Sequence, residues 1–133
     1  MYVWCSGGRN VMRIITGSAR GVRLKSPAGD GTRPTADRTR EALFSMLGRR
    51  VADARVLDLF AGTGALALEA LSRGAARALL VDRTTYAILM ENVRRTRMEE
   101  YVEIHRGDVF RQTAVLSRNG CMFDLIFADP PYG

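Results

Sequence analysis

Residues 55–68, RVLDLFAGTGALAL, decide the fold. Residues 55–59 are a short apolar strand, residues 58–64 a tight turn, and from Ala65 onward the pattern is helical. A strand that enters a Gly-x-Gly turn and leaves as a helix presents backbone N–H groups at the helix start. The glycines let a ligand approach the main chain closely. This is the outline of a nucleotide or nucleoside cofactor site.

Downstream of that stretch the chain alternates between strand and helix. After the first helix (65–73, stopped by Gly74) come strand 78–81, helix 84–97, strand 102–105, helix 110–118 and strand 123–128, which runs into Asp129-Pro130-Pro131-Tyr132. Units of this spacing predict an α/β fold: a doubly wound, mostly parallel Rossmann-like sheet with crossovers on both faces. The chain stops directly after its fourth strand, which would leave an open edge. A longer native polypeptide is therefore expected.

Upstream, residues 12–16 and 22–25 read as two strands of a hairpin around the turn at residues 17–21, and residues 26–35 as a loop. Thr35 or Asp37 is placed to cap a helix running to about Leu47, with Ala42, Leu43, Met46 and Leu47 on one face and Gly48 as its stop. Three regions result: a disordered or non-native tail at residues 1–11, a basic hairpin-and-helix extension at 12–50, and the cofactor-binding domain at 51–133.

Composition fits an ordinary globular core, with 133 residues, 47% of them hydrophobic and 26% charged. No apolar run reaches the roughly 20 residues of a membrane span, and residues 1–11 are too polar for a secretory signal. Cys5 and Cys121 show no metal-like spacing, which points to a cytoplasmic protein with reduced thiols and no metal. The formal charge of +6 is unevenly placed. Residues 1–55 hold eleven Lys/Arg against four acids, and the remainder nine against ten. Such a basic segment suits a polyanion, and it suits a solvated surface as well.

The turn residues Gly62-Thr63-Gly64 with Ala67 fit Gly-x-Gly-x-x-Gly/Ala, and Asp82 follows Gly62 by 20 residues at the end of the next strand. That layout serves a dinucleotide. It serves S-adenosylmethionine equally, since both place a ribose beside the second strand's acid. Three features favour the methyl donor. Asp58, inside the first strand end, could take a methionine amino group and would repel a pyrophosphate. Asp108, after the third strand, could meet an adenine amino group. Asp129-Pro130-Pro131-Tyr132 has no evident use in hydride transfer. The plain alternative is a set of capping residues. Phe60 either packs against the methionine end or fills core.

An exocyclic base amine is a poor nucleophile, because its lone pair is delocalised into the ring. The Asp129 carboxylate and the Pro130 carbonyl can each accept one of its N–H groups, holding the nitrogen for attack on a methyl. Pro131 stiffens the loop, and Tyr132 offers a ring on which an extruded base can stack. The plain alternative here is a strand-end turn. His105, the only histidine, reads as structural, Glu69 and Glu91 as solvated helix residues, and Cys121 as lacking a base partner.

Taken together, MRIITG (12–17), GVRL (21–24), RPT (33–35), RTRE (38–41), LF (43–44), LDLFAGTG (57–64), EALSRGA (69–75) and DPPY (129–132) resemble bacterial small-subunit ribosomal RNA guanine-N2 methyltransferases of the RsmD type. The resemblance covers residues 12–133. It implies a class I S-adenosylmethionine-dependent methyltransferase sheet, truncated here after its fourth strand, since such proteins continue for some fifty residues by rough estimate. It implies cofactor contacts at Asp58, Phe60, Ala61, Gly62, Thr63, Gly64, Asp82, Arg83, Asp108 and Val109, and a target guanine held by residues 129–132. It also implies RNA contacts from Arg13, Arg20, Arg23, Lys25, Arg33, Thr35, Arg38 and Arg40. The implied partner is 16S rRNA, in the 30S subunit or an assembly intermediate, engaged by a monomer. The rival expectations are a DNA adenine-N6 methyltransferase, a non-catalytic RNA-binding or assembly protein that retains the fold, and an NAD-dependent oxidoreductase.

Overall fold

The structure, a computed structural model, describes residues 13–26 and 34–130. The expectations for residues 1–11, Arg33, Pro131 and Tyr132 lie outside these. Four parallel strands form one sheet: β1 (Arg55–Asp58), β2 (Arg77–Asp82), β3 (Val102–Arg106) and β4 (Leu125–Phe127), in the order β3-β2-β1-β4. The order reverses between β1 and β4, so their carboxyl ends flank the crevice where ligands bind in such sheets.

The helices are α1 (Pro34–Leu47), α2 (Ala65–Ser72), α3 (Tyr86–Arg95) and α4 (Val109–Arg118). Strand alternation divides the apolar side chains between two faces. Val56, Ala78 and Leu80 point into the larger core with Phe44, Leu68, Leu71, Leu89 and Val93 of α1, α2 and α3. Leu57, Leu79 and Val81 point the other way, onto Leu116 of α4. The predicted α/β architecture is therefore present, with element ends shifted by a few residues.

The N-terminal segment departs from a simple hairpin. Arg13 and Arg23 form a single antiparallel bridge, with Ile14 N–H bonded to Val22 O at 3.0 Å and Gly21 N–H to Ile14 O at 2.8 Å. Ile14, Leu24 and Phe44 sit in the same core as the sheet. Helix α1 starts at Pro34, so Thr35 and Asp37 lie inside it and neither is its cap. Pro suits a first helical position, since it lacks an N–H that would go unpaired. The buried face of α1 is also not the purely apolar one expected. Met46 is 83% exposed, whereas Asp37, Arg40 and Phe44 are buried.

That face is polar because its partners are. Glu69, read from sequence as solvated, is fully buried on α2. Its Oε1 accepts from Ile15 N–H at 2.8 Å and its Oε2 from Thr16 N–H at 3.1 Å. The guanidinium of Arg73 lies 2.9 Å from Oε2 and that of Arg40 3.6 Å from Oε1. Ser72 extends the seam: its hydroxyl donates to Thr16 O at 2.7 Å and accepts from Ala19 N–H at 2.9 Å, and its carbonyl accepts from Ser18 N–H. Gly17 sits so close (φ +98°) that a Cβ there would lie 1.7 Å from Ser72 O.

Candidate active site

The parallel sheet brings Asp58, Asp82 and Asp129 to one edge, because each ends or follows a strand of the same direction. Asp58, the last residue of β1, is 1% exposed and accepts from Phe60 N–H at 3.2 Å. Burial pushes its carboxyl up to about 7. The Phe60 N–H opposes the rise, and the neighbouring charges of Asp82 and Asp129 add to it. Asp129 is solvent-exposed and Pro130 half-buried beyond β4.

Asp82 behaves oppositely. Burial works to raise its carboxyl but is outweighed by hydrogen bonds from Thr85, Thr84 and Gly62, which hold it below the ordinary carboxylate range. Its Oδ2 accepts from Gly62 N–H at 2.7 Å, and its Oδ1 from the Thr84 and Thr85 N–H groups, each at 3.0 Å. The Thr85 hydroxyl donates to Gly62 O at 2.7 Å, so the Gly62 peptide is clamped at both ends. A carboxylate oxygen has two lone pairs, and one N–H leaves room for a ribose hydroxyl on Oδ2.

The turn differs from the sequence expectation of free N–H groups. Ala61 N–H is bonded to Val81 O at 3.0 Å, Gly62 N–H to Asp82, and Gly64 N–H to Ala61 O at 2.8 Å. A pyrophosphate would need such donors, whereas a nucleoside cofactor without phosphates does not. The two glycines also do different work. Gly62 (φ +58°) faces open space, where a Cβ would meet no atom within 4 Å. Gly64 (φ +85°) is packed, and a Cβ there would stand 2.7 Å from Leu89 Cδ1. The residues present thus fit S-adenosylmethionine: an open glycine beside a carboxylate, Asp82, with the capacity to accept a ribose hydroxyl, and a buried acid of the sign to meet a cationic methionine end.

Phe60 and Thr63 are half-buried around the turn, Ala61 is buried and Arg83 is exposed. Gly107 N–H bonds Asp82 O at 3.0 Å, which sets Asp108 beside Asp82. Asp108 caps α4 by accepting from Arg111 N–H at 3.1 Å, and Val109 packs against the smaller core. Among the basic residues, Arg20, Arg23, Lys25 and Arg38 are exposed and Arg13 is half-buried. Lys25 pairs with Glu91 at 3.6 Å. Arg40, expected to meet RNA, is turned inward: it is 6% exposed, pairs with Glu69 and Asp37, and donates to Arg13 O. His105 contacts Gln112 and Glu103, each at 3.1 Å.

Sequence reading misses Asn92. Fully buried on α3, it donates to Thr63 O at 2.8 Å and is bonded to both backbone groups of Lys25. The available signal is its place on the apolar stripe between Leu89, Val93 and Thr96, where a polar side chain needs a buried partner.

The sheet order, the glycine turn after β1 and the acids closing β1 and β2 define a Rossmann-like fold of the S-adenosylmethionine-dependent methyltransferase class. SMU.776, crystallised with SAH, shares this fold with a TM-score of 0.71 at 21% identity, over 98% of this chain and 34% of that one. The family model described as Conserved hypothetical protein 95 matches residues 12–133, and the chain belongs to that family, the RsmD type. Ribosomal RNA small subunit methyltransferase D of Escherichia coli K12 is 39% identical over 127 residues, which is 94% of this chain and 62% of the relative. YlbH of Bacillus subtilis is 41% identical over 91% of this chain and 67% of its own. The structure of a hypothetical protein of Thermus thermophilus superposes with a TM-score of 0.81 at 40% identity, covering 92% of this chain and 70% of that one. The chain spans about two thirds of the length of the curated relatives it matches.

Proposed function

We propose that the chain carries the methyl-donor site and the base-amine pocket of an S-adenosylmethionine-dependent methyltransferase. Its substrate is the N2 amine of a guanine in small-subunit (16S) ribosomal RNA. One observation carries this reading: Asp58, Asp82 and Asp129 converge at the carboxyl ends of β1, β2 and β4, close enough for Asp82 and Asp129 to raise the Asp58 carboxyl. The relative's name, an RNA methyltransferase of the small subunit, supports the substrate class.

S-adenosylmethionine supplies, when bound, a methyl already activated on a sulfonium. The protein's task is then to position the acceptor. Asp58 and Asp82 would hold the donor's methionine and ribose ends. Asp129 and the Pro130 carbonyl would accept the two N–H groups of the amine, steering its lone pair to the methyl. The exposed Arg20, Arg23, Lys25 and Arg38 would take the RNA backbone.

Incubation of unmodified 30S subunits with labelled donor should yield labelled N2-methylguanine on digestion of the 16S rRNA. Asp129→Ala should lower turnover on the order of a hundredfold or more while leaving donor affinity within a few-fold. Retained turnover in that variant would remove Asp129 from the chemistry. Label on N6 of adenine in duplex DNA would overturn the substrate assignment.

A further inference from the structure

We propose that Asn92 is a positioning residue that couples the donor turn to the basic N-terminal segment, making cofactor binding and RNA binding thermodynamically linked. The proposal rests on the functional reading above.

A side-chain amide has one acceptor oxygen and a nitrogen with two hydrogens. Asn92 spends all of them on two remote pieces of backbone. Its Oδ1 accepts from Lys25 N–H at 2.6 Å, and its Nδ2 donates to Lys25 O at 2.9 Å and to Thr63 O at 2.8 Å. Only this orientation of the amide serves one N–H and two carbonyls together. The paired bonds to Lys25 imitate a neighbouring strand, and the third bond fixes the middle residue of the glycine turn.

These contacts close a ring. The turn opens into α2, whose Glu69 and Ser72 hold Ile15, Thr16 and Ala19 of the N-terminal segment. That segment carries the exposed Arg20 and Arg23 and then reaches Lys25. Asn92 returns from Lys25 to Thr63. Buried and fully bonded, it has no alternative partner in water. Anything that orders the turn therefore orders Lys25 as well. A second ligand on the basic segment finds part of its ordering already done, which is positive coupling.

The test measures both affinities on the full chain, using S-adenosylhomocysteine and, as the RNA ligand, unmodified 30S subunits. In the unaltered protein, saturating S-adenosylhomocysteine should tighten RNA binding about fivefold or more, and RNA should tighten S-adenosylhomocysteine binding by the same factor. In Asn92→Ala both factors should fall to about one. Asn92→Asp keeps the volume but sets a carboxylate against two carbonyls, and it carries the test if the alanine variant does not fold. Thr96→Val controls for plain destabilisation, because among the described residues the Thr96 hydroxyl bonds carbonyls of its own helix alone, those of Asn92 and Val93. That variant should melt earlier and keep the coupling. Independent binding of the two ligands in the unaltered protein, or coupling that survives at Asn92→Asp, would overturn the proposal alone. Failure of the unaltered protein to bind either ligand would overturn the functional reading, and the coupling with it.

Discussion

At the scale of single residues, the site holds two carboxylates tuned in opposite directions by their surroundings. Asp82 is solvated by three backbone N–H groups of the protein itself and stays charged. Asp58 has one such N–H, is buried, and faces two like charges, so its carboxyl rises to about 7. The sign of the consequence follows from linkage. Between about pH 4 and 7 the unfolded chain ionises at this position while the folded one keeps its proton. Asp58 therefore removes stability as pH rises through that window, and the loss is complete above it. Asp58→Asn should raise the thermal midpoint of the ligand-free protein at pH 8, by up to about 4 kcal/mol in unfolding free energy, with little effect at pH 4. The same variant should bind donor weakly. In the unaltered protein a cationic ligand end favours the carboxylate, so binding releases a proton. Donor affinity should then fall by up to about tenfold for each unit below pH 7. Calorimetry across pH 5–8 reads both effects, and a pH-independent affinity would separate Asp58 from the donor's charge.

At the scale of elements, the N-terminal segment is bound to α2 by a polar seam. Glu69 is the centre of it, facing Ile15 N–H, Thr16 N–H and two guanidiniums from full burial. Removing it takes from the buried Arg40 guanidinium one of its two carboxylate neighbours, leaving Asp37 at 3.7 Å. Glu69→Ala should therefore destabilise by about 3–5 kcal/mol, the range for breaking a buried pair from one side. Gly17→Ala attacks the same seam sterically, since its Cβ would overlap Ser72 O and the backbone there is left-handed. Urea unfolding should show both variants with early transitions. Midpoints matching the unaltered protein would mean that the segment is not part of the cooperative unit.

At the scale of the whole molecule, what is legible in the sequence depends on how local its cause is. The strand and helix alternation from Arg55 onward is readable because each apolar run declares its own period. Asp58, Asp82 and Asp129 are readable as a group because parallel strands carry their ends to one edge. Arg40, Glu69 and Asn92 are not, since the backbone groups their buried side chains bond lie 27, 54 and 67 residues away. Polarity alone assigns them to the surface. That distinction has a measurable outcome for the basic N-terminal half, which holds eleven Lys/Arg against four acids. Only the cations that reach solvent can displace counterions from RNA. Neutralising Arg20, Arg23 and Arg38 to Gln together should weaken RNA binding and flatten the dependence of log K on log salt by about 2, taking ~0.7 per phosphate contact. Arg40→Gln should leave that slope unchanged and lower the unfolding midpoint instead, because its guanidinium faces Glu69 and Asp37. Filter binding over a salt series separates the two classes. A slope that flattens at Arg40→Gln and not in the triple variant would place the RNA on a different face.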